Sequence, residues 1–187
     1  MAGRGRALRP PLSARVESFA ELAARIGARP PAGGLRTRIV AVDGRGAAGK
    51  TTFAGRLAAA LGHALVVHTD DVVARSGHPW WPALEAEVLA PLTAGGPDVL
   101  IIEGVSSSRR AITGRLAYGI WLHVPAGPRL ARGIARDGPA AAADWAGYEA
   151  EEDAFFATDP AGTRADLLVD GAPTLPHDPT TGYVRLG

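Results

Sequence analysis

Short apolar runs alternate with segments whose apolar residues recur every three or four positions, and this alternation sets the expected architecture. Arg38 to Val42, Ala64 to His68, Asp98 to Ile102, Ile120 to Val124 and Leu167 to Val169 read as strands. Between them, Phe53, Leu57 and Leu61 recur at helical spacing, as do Trp81, Leu84, Val88 and Leu92. Residues 127–137 and the stretch carrying Trp145, Tyr148, Glu152 and Phe156 also have helical period, and 16–27 reads as an amphipathic helix with Val16, Phe19, Leu22, Ala23 and Ile26 on one stripe. Asp98 to Ile102 is the most hydrophobic run, as expected of a parallel strand buried on both faces. The pattern predicts an α/β fold: a doubly wound parallel sheet of about five strands with flanking helices, and one further edge strand at Tyr183 to Arg185. Ligands in such a sheet bind at the carboxyl ends of the strands.

Composition narrows the class. A chain of 187 residues is long enough for one domain with its own core. It has no cysteine, which excludes a disulfide framework and thiolate-ligated zinc and suits a reducing cytoplasm. A net charge of +1 gives no reason to expect nucleic acid or a membrane surface as partner, and no apolar run reaches membrane-spanning length. Arg4, Arg6, Arg9 and Arg15 mark residues 1–15 as a flexible basic tail, leaving 16–187 as a single domain.

Chemistry concentrates after the first apolar strand. Lys50 is the only lysine in the chain, and it lies in Gly44-Arg45-Gly46-Ala47-Ala48-Gly49-Lys50-Thr51. Gly, four residues, then Gly-Lys-Thr is a phosphate-binding loop: main-chain N–H groups cradle phosphates, and the lysine reaches the outer ones. The required context of strand, loop and helix is met here. Thr51 is the expected Mg²⁺ ligand, and Thr52 borders the phosphates or the base. A GTPase-type switch is excluded, because its base-reading Asn-Lys-x-Asp element needs a second lysine.

Further candidates follow the other strands. Asp70 and Asp71 lie just past the second strand, where one carboxylate can take a proton from an attacking hydroxyl and the other can make an outer contact to Mg²⁺. Which of the two is the base stays open. Glu103 ends the third strand, where a carboxylate can orient a Mg²⁺-bound water, and Gly104 after it lets the backbone approach the phosphate site closely. Arg129, Arg132 and Arg136 share one helix face and suit a lid over a transferring phosphoryl group. Arg109 and Arg110 follow the third strand at the same edge. Of the two adjacent tryptophans, Trp81 fits the core stripe and Trp80 a pocket.

In this order the pieces resemble the uridine-kinase-like branch of P-loop kinases over roughly residues 37–171. The residues that carry the resemblance are Val42-Asp43-Gly44 through Thr52, Asp70, His78-Pro79, Ile101-Ile102-Glu103-Gly104, Arg129-Leu130-Ala131-Arg132 to Arg136-Asp137, and Arg164-Ala165-Asp166. The resemblance implies transfer of the γ-phosphate of ATP, with Mg²⁺, to a nucleoside 5′-hydroxyl. Asp70 would be the base, and Arg132 and Arg136 would grip phosphates from a lid. Two departures stand out. Gly77 occupies the place of the Asp that binds the ribose hydroxyls, and only Thr93 to Pro97 stand where the family has a Tyr- and His-bearing hairpin. The acceptor therefore stays open between a nucleoside and another small molecule, such as a nucleoside monophosphate, a sugar or a vitamin precursor. A regulatory ATP-binding module without an acceptor is the remaining alternative. A monomer and a homodimer are equally compatible with the sequence.

Overall fold

A computed structural model describes residues 13–187. The predicted tail over 1–15 therefore lies almost wholly outside the described residues, and Arg15 already belongs to a strand. The strands are β1 (Arg15–Ser18), β2 (Arg38–Gly44), β3 (Ala64–His68), β4 (Val99–Glu103), β5 (Leu116–His123), β6 (Leu167–Asp170) and β7 (Gly182–Leu186). The helices are α1 (Phe19–Gly27), α2 (Lys50–Leu61), α3 (Thr69–Ser76), α4 (Trp81–Leu84), α5 (Ala126–Asp137) and α6 (Ala142–Thr158).

One seven-stranded sheet runs in the order β1-β7-β6-β5-β2-β4-β3. Its five inner and far strands, β6-β5-β2-β4-β3, are parallel, and these correspond to the five strands expected. β7 joins β6 antiparallel, and β1 joins β7 antiparallel, which extends the sheet to seven.

Residue parity along the strands sorts side chains between two layers. Val40, Val42, Val99 and Ile101 face α1 and α2, where they meet Leu22, Ile26, Phe53 and Leu57. Ile39, Leu100 and Ile102 face the opposite layer, with Val72, Trp80, Leu84 and Leu89. Leu100, Ile101 and Ile102 are fully buried, and each contributes roughly 2 kcal/mol of burial, so the position of β4 is firmly fixed. The same parity sends Glu103 toward the α2 layer and Asp43 toward the α3 layer.

Three local expectations are corrected. The helix read over 16–27 begins at Phe19. Arg15 to Ser18 instead pair with Arg185 to Gly182, and Ser18 closes a capping box: its hydroxyl accepts the Glu21 amide at 3.1 Å, and its own amide donates to Glu21 at 2.8 Å. Val16 is accordingly exposed on an edge strand rather than facing the core. The helix read through Leu92 is α4 followed by a π-turn over Glu85–Leu89 and a 3₁₀ turn over Ala90–Thr93. The π-turn inserts one residue into the period, so Leu89 rather than Val88 is the buried position. Trp80, expected at a pocket, is instead buried in the core, and Trp81 is half-buried against the same cluster, because α4 starts only at Trp81.

Candidate active site

The site is built where the loop leaves β2. Lys50 opens α2 and is 8% exposed. Its ammonium donates to the main-chain oxygen of Arg45 at 2.9 Å across the loop. Burial pushes its pKa down, and Asp43, Glu103, Glu152 and Asp70, in that order, pull it back up. An ammonium so placed favours an incoming anion.

A cavity of about 370 Å³ opens above it. Its wall is the unbroken run Gly46 to Thr52 together with Asp70, Val105, Arg132, Arg136 and Trp145. Of the residues singled out in the sequence, Lys50, Thr51, Thr52, Asp70, Arg132 and Arg136 are therefore brought together. Gly44 is buried at the end of β2, and Arg45 stands behind the loop, paired to Asp153 at 2.5 Å and near Glu152 at 3.7 Å. Asp71, one residue past Asp70 in the first turn of α3, is exposed and does not line this cavity.

Register places Glu103 beside both neighbouring strands, opposite Val42 on β2 and His68 on β3. Its Oε1 accepts the Thr51 hydroxyl at 3.1 Å and lies 2.5 Å from Nδ1 of His68. Gly104 follows with φ +143°, and a Cβ there would stand 1.7 Å from the Thr69 hydroxyl. The neighbour this glycine admits is the start of α3.

Fit to a nucleotide with Mg²⁺ can be judged on these groups. The cradle of amides, the buried ammonium and the Thr51–Glu103 pair match a polyphosphate and its cation. Among the described residues no group of three or more His, Asp and Glu side chains could hold a metal ion alone. An ion here would therefore share its ligands with phosphate oxygens, as Mg²⁺ at such loops does.

Three contributors are residues to which the sequence alone gave no role. Asp43, wholly buried, accepts the amides of Gly44 at 2.7 Å, Ser106 at 2.9 Å and Ser108 at 2.9 Å, and the Ser108 hydroxyl at 2.6 Å. It ties the end of β2 to the turn after Glu103. Burial pushes its carboxyl pKa up, against these donors and Lys50. His68 could have been noticed as the residue ending β3 before the Asp pair. Glu152 reaches the loop from α6 and had no local signal at all: its Oε1 accepts the Gly46 amide at 2.6 Å. Arg129 also departs from the expected lid face. It is buried and paired with Glu149 at 3.1 Å and Glu152 at 3.4 Å, while Arg132 and Arg136 line the cavity. Arg109 is packed over the rings of Trp80 at 4.9 Å and Trp81 at 5.0 Å.

Solved structures carry the same arrangement of elements. A possible uridine kinase from Bacillus stearothermophilus superposes with a TM-score of 0.55 at 21% identity, over 81% of this chain and 97% of that one. A shikimate kinase from Bacteroides thetaiotaomicron gives 0.50 at 16% identity, over 72% and 86% of the two chains. The chain shares the α/β fold of these two structures. A proposed fructose transport system kinase from Silicibacter sp. TM1040 shares this fold with a TM-score of 0.51 at 22% identity, over 64% of this chain and 81% of that one. No family model and no curated protein matches the sequence. Within this fold the cavity lies at the carboxyl edge of the parallel strands, where ligands of open α/β sheets sit. No helix among the described residues is long and apolar enough to cross a membrane.

Proposed function

We propose that this protein is an ATP-dependent kinase that moves the γ-phosphoryl group to a hydroxyl of a small molecule. The observation that carries the reading is the single cavity in which loop amides, the buried Lys50, Asp70, Arg132 and Arg136 converge. ATP with Mg²⁺ supplies a phosphoryl group whose charge must be met by fixed donors in the transition state. Loop amides from Ala47 to Thr51 and Lys50 would hold the phosphates, with Arg132 and Arg136 as further donors. Thr51 and Glu103 would hold the ion. Asp70 would accept the proton of the attacking hydroxyl, and Asp71, outside the cavity, would serve at most as an outer contact.

A second cavity of about 380 Å³ shares Ala47, Ala48, Gly49, Thr52 and Arg132 with the first. Phe53, Pro173 and Tyr183 give it an apolar wall, which suits the purine. Arg132 borders both cavities and so can reach base and phosphates together.

A nucleoside is the first choice of acceptor. Another small alcohol competes with it on a specific observation: Gly77 is an exposed helix-ending residue with φ +69°, and only residues 94–98 link the 3₁₀ turn to β4. Neither position offers the grips that a ribose and a pyrimidine need. Incubation with ATP, Mg²⁺ and a panel of nucleosides, nucleoside monophosphates, sugars and vitamin precursors, read by ADP release, decides among them. We expect stimulation by one class, about a thousandfold loss with Asp70→Asn at preserved MgADP binding, and little change with Asp71→Asn. Slow ATP hydrolysis that no acceptor accelerates would favour the regulatory module instead.

A further inference from the structure

We infer that Glu152 is a positioning residue that fixes the phosphate loop from behind and makes the loop, α5 and α6 one unit; its catalytic meaning rests on the kinase reading above.

The carboxylate joins three elements. Oε1 accepts the Gly46 amide at 2.6 Å, and Oε2 faces Nη1 of Arg129 at 3.4 Å and Nη1 of Arg45 at 3.7 Å. Arg129 is 4% exposed and among the described residues has only Glu149 and Glu152 as acidic partners, so its charge is settled inside the protein by α6. Trp145, two turns earlier on the same face of α6, completes the joint by packing. A Cβ on Gly133 of α5 would stand 2.2 Å from its ring, and one on Gly46 would stand 3.1 Å away. Gly133 is therefore required by the close approach of this indole, and Gly46 is closely confined by it and by Glu152.

Glu152 is absent from the wall of the phosphate cavity. It holds Gly46 from the outer side and can stay bound when the cradle is filled. The residue after Gly46 explains why a restraint is needed there. Ala47 has φ +57°, a left-handed conformation that a side chain disfavours and that surrounding bonds must impose. The Gly46 amide bond to Glu152 fixes the preceding peptide plane. Arg132 and Arg136 flank Gly133, so the same joint sets where the two cavity arginines stand relative to the loop amides.

The test reads the amide itself. Hydrogen exchange of individual amides is followed by NMR on nucleotide-free wild-type, Glu152→Gln and Glu152→Ala proteins, with Ile101 as core control. MgADP affinity is then measured calorimetrically for each. Glu152→Ala is expected to speed exchange at Gly46 about tenfold or more, with Ile101 unchanged, and to weaken MgADP about tenfold. Glu152→Gln keeps an acceptor oxygen and should stay within about threefold of wild type in both. Unchanged Gly46 exchange in the Ala variant overturns the inference, as does faster exchange with intact affinity. If the Ala variant opens globally, the Gln variant decides, since loss of Gly46 protection there also overturns it. Wild-type protein that binds no nucleotide would sink the kinase reading, while the exchange result would still judge the loop restraint on its own.

Discussion

The hydroxyl of Thr51 donates to Oε1 of Glu103 at 3.1 Å, linking the first turn of the helix after the phosphate loop to the end of β4. Two residues 52 apart in sequence meet because parity turns Glu103 toward the α2 layer and register sets it beside Val42. A hydroxyl and a carboxylate so joined are the oxygen donors a hard cation needs beside phosphates. Thr51→Ala and Glu103→Gln are each expected to lower turnover about a hundredfold and to raise the Mg²⁺ concentration needed for half-maximal activity. Activity titrated against Mg²⁺ checks this. A normal Mg²⁺ requirement in both variants would make the pair purely structural.

Asp43 should matter to stability before it matters to chemistry. Its carboxylate satisfies three amides and one hydroxyl, all buried at the joint between β2 and the turn after β4. Asp43→Ala strands those donors, which costs about 3 kcal/mol or more, and the melting temperature should drop by roughly 8 °C. Calorimetry provides the check. A variant that melts within about 2 °C of wild type would mean that water replaces the carboxylate.

How much of this was legible beforehand follows from the range of each signal. The loop from Gly44 to Thr51 is a contiguous pattern, and the β4 run is apolar without interruption, so fold class, cradle and Glu103 could be read directly. Helix starts decided by caps were less visible. Val16 looked helical because its stripe partners lie three to ten residues on, while the capping box at Ser18 and the pairing with β7 outweigh that period. The π-turn at Glu85–Leu89 similarly shifts burial by one residue, which a fixed period cannot anticipate. Arg129 and Glu152 lie on different helices, and nothing local tells a buried arginine from its exposed neighbours Arg132 and Arg136. Their pairing exists only once α5 and α6 are packed.

Lys50 should impose an alkaline limit on nucleotide affinity. Burial lowers its pKa in the free protein, and phosphates in the cradle would favour the ammonium and raise it again. A group whose pKa rises on binding supports affinity fully below its free-state value and ceases to as pH climbs toward the bound-state value. MgADP affinity is therefore expected to hold near neutrality and to fall on the alkaline side, beginning below the ordinary lysine value of 10.5. Calorimetric titrations across that range test it. Lys50→Met should bind weakly with no such fall, and a wild-type curve as flat as the variant's would remove Lys50 from the phosphate contact.

At the acid end the controlling group is Glu17 on β1. Burial raises its pKa, but bonds from Tyr183 at 2.7 Å, Arg25 at 2.6 Å and Arg15 at 2.9 Å outweigh that and bring it from 4.5 to about 2. With the folded value below the unfolded one, the stabilisation is fully present above about pH 4.5 and is lost as pH falls toward 2. The amount at stake is on the order of 3 kcal/mol, since the carboxylate is only 8% exposed. The loss reaches the site because Tyr183 packs on Phe19 and Phe53, with ring centroids 5.5 and 5.6 Å apart, in the wall of the second cavity. Melting temperature followed from pH 6 to pH 2.5 should fall steeply for wild type through this window. Glu17→Gln should start lower and lose less across it, and parallel curves for the two proteins would remove Glu17 as the origin of the acid limb.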